Sequence, residues 1–284
     1  MTLAFDRVRF VMTEPSHPGN VGSAARAIKT MGFMELALVA PRTGEISAQP
    51  EAIALASGAA DVLDAAILYP TLADALAPVT LAFAMTARER DLGPPTLDIR
   101  EAARLAASHL AGHPDARVAI VVGTERSGLT NAQIALCHRV CHIPANPAYS
   151  SLNVAQALQL AAWEVRYALL NPSGAVPVAA LPVAACLLNA PGVGAGDGSA
   201  IRTSSDPGRR PASSEAVQAL ITHLEQALEA VKFLDPAHPK KLMPRMRHLF
   251  GRSALTQDEV DMWRGVCTAM IATAHRAYPP GKPG

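Results

Sequence analysis

Three short polar segments hold the residues that could do chemistry. The first, "NVGSAAR" (Asn20–Arg26), puts an asparagine at the mouth of a helix and an arginine further along it. Asn20 reads as a helix N-cap, and Gly22, Ser23, Ala24 and Ala25 would let a ligand or another chain come close. The G-x-G-x-x-G spacing of a dinucleotide loop is missing. Val21, Ala25 and Ile28 fall on the side that would face a sheet, which leaves Arg26 pointing elsewhere; alone, it reads as a solvated cation. The second segment, "VVGTERSGLTNAQ" (Val121–Gln133), ends an apolar strand in a turn containing Glu125, Arg126 and Gly128, then opens a helix capped by Thr130 or Asn131. The third, "HIPANPAYSSLNVAQAL" (His142–Leu158), runs from a strand end to Ser150, Ser151 and Asn153 at the start of a long helix, where backbone N–H groups favour an anion.

The elements that must position these segments are legible from periodicity. Apolar runs at Val8–Thr13, Leu36–Pro41, Val79–Met85, Val118–Gly123 and Arg139–Pro144 read as strands, with a short extra one near Ala66–Tyr69. Helical patterns lie between them at Val21–Met31, Glu51–Leu63, Leu72–Ala77, Ile99–Leu110, Asn131–Cys137 and Leu152–Leu170. Near-continuous apolar strands alternating with helices predict an α/β fold: a parallel sheet with helices on both faces. In such sheets ligands bind at the carboxyl ends of the strands, where all three polar segments fall.

The chain has 284 residues, 50% of them hydrophobic and 17% charged, with a net charge of +1. That composition describes a globular protein with a sizeable core and excludes a disordered one. Four cysteines lack disulfide-framework spacing, no secretory signal is visible, and no run of about 18 apolar residues suggests a membrane span. The expected compartment is the cytoplasm. "CHRVCH" (Cys137–His142) has no second ligand pair at zinc-like spacing, so no metal is expected.

After "LLNPSG" the composition changes. The expected organisation is a first domain over residues 1–172, a Pro/Gly/Ala/Ser-rich flexible linker over 173–212, and a small helical domain over 213–276. The helical part reads as Ser214–Leu234, Lys240–Phe250 and Thr256–His275, the last opening with the capping box "TQDE". Its segment "PKKLMPRMRHLFGR" (Pro239–Arg252) concentrates two lysines and three arginines, a local basic patch suited to nucleic acid.

The ordered set N-x-G-x-x-A-R, G-T-E-R-x-G-L and I-P-x-x-x-x-x-S-L-N resembles motifs 1, 2 and 3 of the SpoU branch of the SPOUT RNA methyltransferases. "MTARER" (Met85–Arg90) and "ANPAYSSLN" are most similar to the TrmJ subfamily, which methylates the ribose 2′-hydroxyl of cytidine or uridine at tRNA position 32. The likeness covers residues 6–170 and extends, more weakly, to the helical tail.

The resemblance implies a C-terminal trefoil knot, which nothing in the local pattern reveals. It also implies S-adenosylmethionine as cofactor and a homodimer whose sites lie near the subunit interface. Met85, Thr86, Ala87, Gly123, Ile143, Ser150, Ser151 and Leu152 would surround the cofactor. Met85 stands where subfamily members often carry a small polar residue, a change that a backbone contact tolerates. Arg26 matches the family's catalytic arginine. A guanidinium keeps its proton in proteins, so its expected work is to grip a phosphate and orient the 2′-hydroxyl. Asn20 and Asn153 would fix the arginine and the ribose, Glu125 would hold the motif 2 turn or pair with Arg26, and Ser151 would touch cofactor or substrate. Arg26, Arg88, Lys240, Lys241, Arg245 and Arg247 are the expected RNA contacts. Trp163 and Tyr167, one turn apart, read as core or dimer contacts. Two other readings remain open: a SpoU-type enzyme acting on ribosomal RNA, and a catalytically silent RNA-binding protein. The intact Asn20, Arg26, Glu125, Ser151 and Asn153 set weighs against the latter.

Overall fold

The computed structural model describes residues 4–87, 96–171, 210–238 and 241–277. Arg88, Lys240 and the linker up to residue 209 lie outside the described residues. The sheet consists of β1 (Val8–Thr13), β2 (Glu35–Val39), β3 (Ile67–Tyr69), β4 (Leu81–Met85), β5 (Thr96–Asp98), β6 (Val118–Val122) and β7 (Arg139–His142). Its order is β3-β2-β1-β6-β4-β7-β5, and every pairing is parallel. Phe10 of β1 lies opposite Leu36 and Ile120, and Phe83 of β4 opposite Ile120.

Alternate residues of these strands fill two cores. Val8, Phe10 and Met12 pack on one face under α1 (Pro18–Thr30), α5 (Ile99–Gly112) and α7 (Val154–Leu170). Val11, Ala82, Ala84, Ala119 and Val121 pack on the other, beneath α4 (Leu72–Leu76) and α6 (Asn131–Ala135). Burial on both faces explains why the central strands β4 and β6 are apolar throughout and β1 nearly so, instead of alternating with polar residues. On the first face α1 crosses α2 (Pro50–Ala56) so closely that a Cβ at Gly22 would lie 2.0 Å from the carbonyl oxygen of Ala52.

Several boundaries differ from the sequence reading. The helix expected over Glu51–Leu63 is two helices, α2 and α3 (Ala60–Asp64), parted by a 3-10 turn at Ser57–Ala59 where Ser57 has φ +52. β5 is short and carries Thr96 and Asp98, too little for a hydrophobic period to register. Asn20 is not the N-cap of α1. Pro18 opens the helix, with His17 at the cap, because a proline at the first position has its φ already set and needs no N–H acceptor. Asn20 therefore lies inside the first turn with its side chain free to bond elsewhere. Trp163 and Tyr167 are 50% and 57% exposed, which overturns a core role for them in this chain.

The C-terminal helices α8 (Ser214–Ala230), α9 (Leu242–Arg252) and α10 (Gln257–Ala277) enclose a third core around Leu220, Ile221, Leu224, Val260 and Cys267. Ser213 caps α8, and Thr256 and Glu259 exchange capping bonds at α10. The bundle docks on the α4/α6 side of the sheet: the N–H and Oγ of Ser214 both donate to the Val79 carbonyl, at 2.8 and 3.0 Å.

Buried polar groups beneath this face are paired. Glu35 bridges Arg9 and Arg117, and Arg9 also donates to the Ala75 carbonyl and lies over the Tyr69 ring. That is the condition under which buried charge is tolerated. Cys137 and Cys141 are buried and their thiols are pushed up by desolvation. His138 uses Nδ1 to accept the Ala82 N–H, and His142 Nδ1 donates to the Leu97 carbonyl. Among the described residues no group of three or more His, Cys, Asp or Glu side chains is placed to hold a metal ion.

Two histidines, His138 buried and His109 half-buried, give the fold a pH dependence. Burial, aided by the charges of His113, His138 and Arg7, lowers His109 to about 3; burial and the charge of Arg139 lower His138 to about 4. Both are neutral in the folded chain where an unfolded histidine is protonated, so acid favours the unfolded state. Stability is expected to fall from about pH 6.5 downward, by up to about 1.4 kcal/mol per pH unit for each histidine. Urea denaturation at pH 7, 6 and 5 measures the slope, and His138→Gln should make it shallower by one proton's worth.

Candidate active site

The loops after β1, β6 and β7 converge at the carboxyl edge of the sheet and are tied by one hydrogen-bonded chain. Glu125, in the turn after β6, accepts from the N–H and Oγ of Ser16 at 3.2 and 2.9 Å, from the His17 N–H at 3.2 Å and from Asn20 Nδ2 at 3.3 Å. Its carboxylate thus faces the amino end of α1, where a negative charge is favoured. Asn20 in turn accepts on Oδ1 from Asn153 Nδ2 at 2.9 Å. Asn153 Oδ1 caps α7 by accepting from the Ala155 and Gln156 N–H groups. Each amide is fixed at both ends, so the three segments hold one another in register. Burial opposes the charge on Glu125, but hydrogen bonds from its own N–H, Asn20, Ser16 and His17 outweigh it and hold the carboxyl below its ordinary range.

Beside this chain lies a cleft of about 170 Å³ at the ends of β4, β6 and β7. Met85, Thr86, Ala87, Gly123, Ile143, Ser150, Ser151 and Leu152 all line it, as does Glu125. The turn on its β6 side is closed by mutual hydrogen bonds between Thr124 and Gly128, with Gly128 at φ +68. A Cβ on Gly123 would lie 2.0 Å from the Gly128 backbone, so the turn requires glycine at both positions. Much of the wall is backbone and small side chains, and no lysine reaches it. Such a wall can hold a ligand through main-chain N–H and C=O groups and give its apolar parts Met85, Ile143 and Leu152.

Arg26 stands apart. It is exposed on α1, does not line the cleft, and its side chain makes no hydrogen bond or ion pair with the described residues. The alternative that Glu125 pairs with Arg26 is not what forms in this chain, since Ser16, His17 and Asn20 satisfy that carboxylate. Along α7, which packs beside α1, Leu160, Trp163, Tyr167 and Leu170 form an exposed row at helical spacing. In the tail, Lys241 and Arg245 are exposed, whereas Arg247 is half-buried and donates to Gln218 Oε1 at 3.0 Å.

Sequence reasoning missed Ser16 and His17, the donors that hold Glu125. Their only signal was position, between Pro15 and Pro18 in the strand-to-helix turn, where free N–H groups must find an acceptor.

Residues 7–163 match the SpoU rRNA Methylase family, and residues 215–278 match the C-terminal domain of tRNA methyltransferase TrmJ. A Pseudomonas aeruginosa protein named tRNA (cytidine/uridine/adenosine-2'-O-)-methyltransferase TrmJ is 38% identical over 93% of this chain and 93% of its own length. Among solved structures, TrmJ from Z. mobilis ZM4 aligns with 92% of this chain and 98% of its own at 28% identity and a TM-score of 0.70. A probable methyltransferase from Bordetella pertussis Tohama I is 75% identical, covers 60% of this chain and 99% of its own, and has a TM-score of 0.57. With both of its domains matched and the relatives aligned nearly end to end, this chain belongs to the TrmJ family of SpoU methylases.

Proposed function

We propose that this protein transfers a methyl group from S-adenosylmethionine to the ribose 2′-hydroxyl of cytidine or uridine at position 32 of the tRNA anticodon loop. The observation that carries the reading is the Asn153–Asn20–Glu125 chain set against the cleft. The matched TrmJ C-terminal domain favours tRNA over ribosomal RNA, and the intact polar chain weighs against a silent binder. The cleft suits the cofactor by its position at the strand ends, its backbone-rich wall and its apolar patches. When bound, S-adenosylmethionine supplies an activated methyl, which leaves the protein to align the acceptor.

In that alignment Asn20 and Asn153 hold the ribose edge, and Ser151 lies between cofactor and substrate. Glu125 stays ionised and keeps α1 at a fixed angle to the cleft. Arg26 grips an RNA phosphate and turns the 2′-hydroxyl toward the cleft. A strong base is unnecessary, because the attacking oxygen becomes acidic as it bonds to carbon and can release its proton to water. We further propose the family's trefoil knot, a cytoplasmic location, and a homodimer formed through the exposed row on α7. In that dimer Arg26 of one protomer serves the cleft of its partner. Among the described residues no helix is long and apolar enough to cross a membrane.

Comparing ribose methylation of tRNA from cells with and without the protein tests the activity: loss of the 2′-O-methyl group at position 32 is expected. Arg26→Ala should lower methyl transfer by about 10²-fold or more while cofactor affinity, read by calorimetry, stays near wild type. Trp163→Asp with Tyr167→Asp should yield a monomer in sedimentation experiments and abolish transfer. Lys241→Glu with Arg245→Glu should weaken tRNA binding and flatten the plot of log affinity against log salt by about two counterions.

A further inference from the structure

A second cavity of about 550 Å³ is lined by the Asn20–Asn153 pair. Its wall combines His17 and Ser23 from around α1, Glu51 from α2, and Gln156 and Gln159 from α7. Its chemistry is selective. No lysine or arginine lines it, and the carboxylate of Glu51 would repel a phosphate. The cavity therefore suits a neutral polar group. Gln156 and Gln159 are three apart on one face of α7, and neither side-chain amide bonds to any described residue.

Given the methyl-transfer reading above, on which this inference rests, the acceptor ribose would sit at the Asn20–Asn153 pair, which lines the second cavity and is joined to the cleft by Glu125, the partner of Asn20, and by Leu152 and Val154, the chain neighbours of Asn153. A nucleotide whose 2′-hydroxyl faces the cofactor cleft there must send its base to the other side. We infer that the second cavity takes the target base and that Gln156 and Gln159 read its polar edge. A glutamine amide carries both a carbonyl acceptor and an NH₂ donor, so one rotation pairs it with the 4-amino group of cytosine and the other with the 4-oxo group of uracil. An amide reader accepts both pyrimidines, whereas a carboxylate or an ammonium at the same place would favour one.

The test compares kcat/KM of the full-length enzyme on two tRNA transcripts differing only in C or U at the target position. Gln156→Glu and Gln159→Glu replace the amide with an acceptor; at one or both sites the C:U ratio should rise by about tenfold. Gln156→Lys and Gln159→Lys supply only donors and should lower it. Both positions are on the surface of α7, and melting temperature and cofactor affinity verify that each variant is folded. Ratios within about twofold of wild type in all four folded variants overturn the inference, as would equal losses on both transcripts, because neither shows discrimination at the base edge. Failure of the wild-type enzyme to methylate either transcript would instead count against the methyl-transfer reading.

Discussion

The carboxylate of Glu125 faces a problem and solves one. The turn between β1 and α1 presents the N–H groups of Ser16 and His17 at the amino end of a helix, and those donors have no acceptor within the helix. Glu125 arrives from the far side of the sheet's switch point and accepts both, together with the Ser16 hydroxyl and the Asn20 amide. One ionised group thereby locks two loops separated by more than a hundred residues of sequence. Because Asn20 is held this way, its Oδ1 is left pointing at Asn153, and the amino end of α7 is drawn into the same register. A neutral side chain could accept some of these bonds, but it would not add its charge to the favourable field at the amino end of α1.

That rigidity contrasts with the sparse chemistry of the neighbouring cleft. Its wall is shaped by what is missing: no Cβ fits at Gly123, and Gly128 takes a left-handed φ. A cleft lined largely by main chain loses little when side chains vary. For a reaction whose methyl is already activated, fixed alignment matters more than acid–base power. The molecule is built accordingly, with the Glu125–Asn20–Asn153 network holding loops in place.

Periodicity made the sheet legible because its central strands are buried on both faces and read as uninterrupted apolar runs: Val8–Thr13 matches β1 residue for residue. The cleft residues were legible only through the resemblance to the SpoU methylases, since nothing about Thr86 or Ile143 in isolation suggests a site. Other features escaped. β5 is three residues long, and the break between α2 and α3 turns on one left-handed serine. Asn20 has the ideal chemistry of an N-cap, and local propensity assigned it that place. Pro18 moved the helix start, and a tertiary partner, Glu125, claimed the side chain. Asn153 has the same chemistry and does cap its helix, because no proline at the first helical position competes with it. The Glu35 bridge between Arg9 and Arg117 was invisible for a similar reason: its members come from β1, β2 and the residue before β6, and meet only when the sheet forms.

The position of Arg26 constrains how these parts can work together. Its guanidinium is exposed, on the helix that carries Asn20, yet outside the cleft that Asn20's partner Glu125 lines. Swinging it into that cleft would bring it toward Glu125, whose acceptor positions are already filled by Ser16, His17 and Asn20. A pairing there would have to break bonds that hold the site together. Arg26 can act on substrate without disturbing this network if it approaches from outside the chain's own loop cluster, whose cleft already carries Arg126. The exposed apolar row on the adjacent α7 offers a surface on which a second copy could bring its own Arg26 to that position. On the dimeric reading proposed above, each protomer supplies a preformed cleft and locked loops, and assembly supplies Arg26, which a single chain keeps out of its own site.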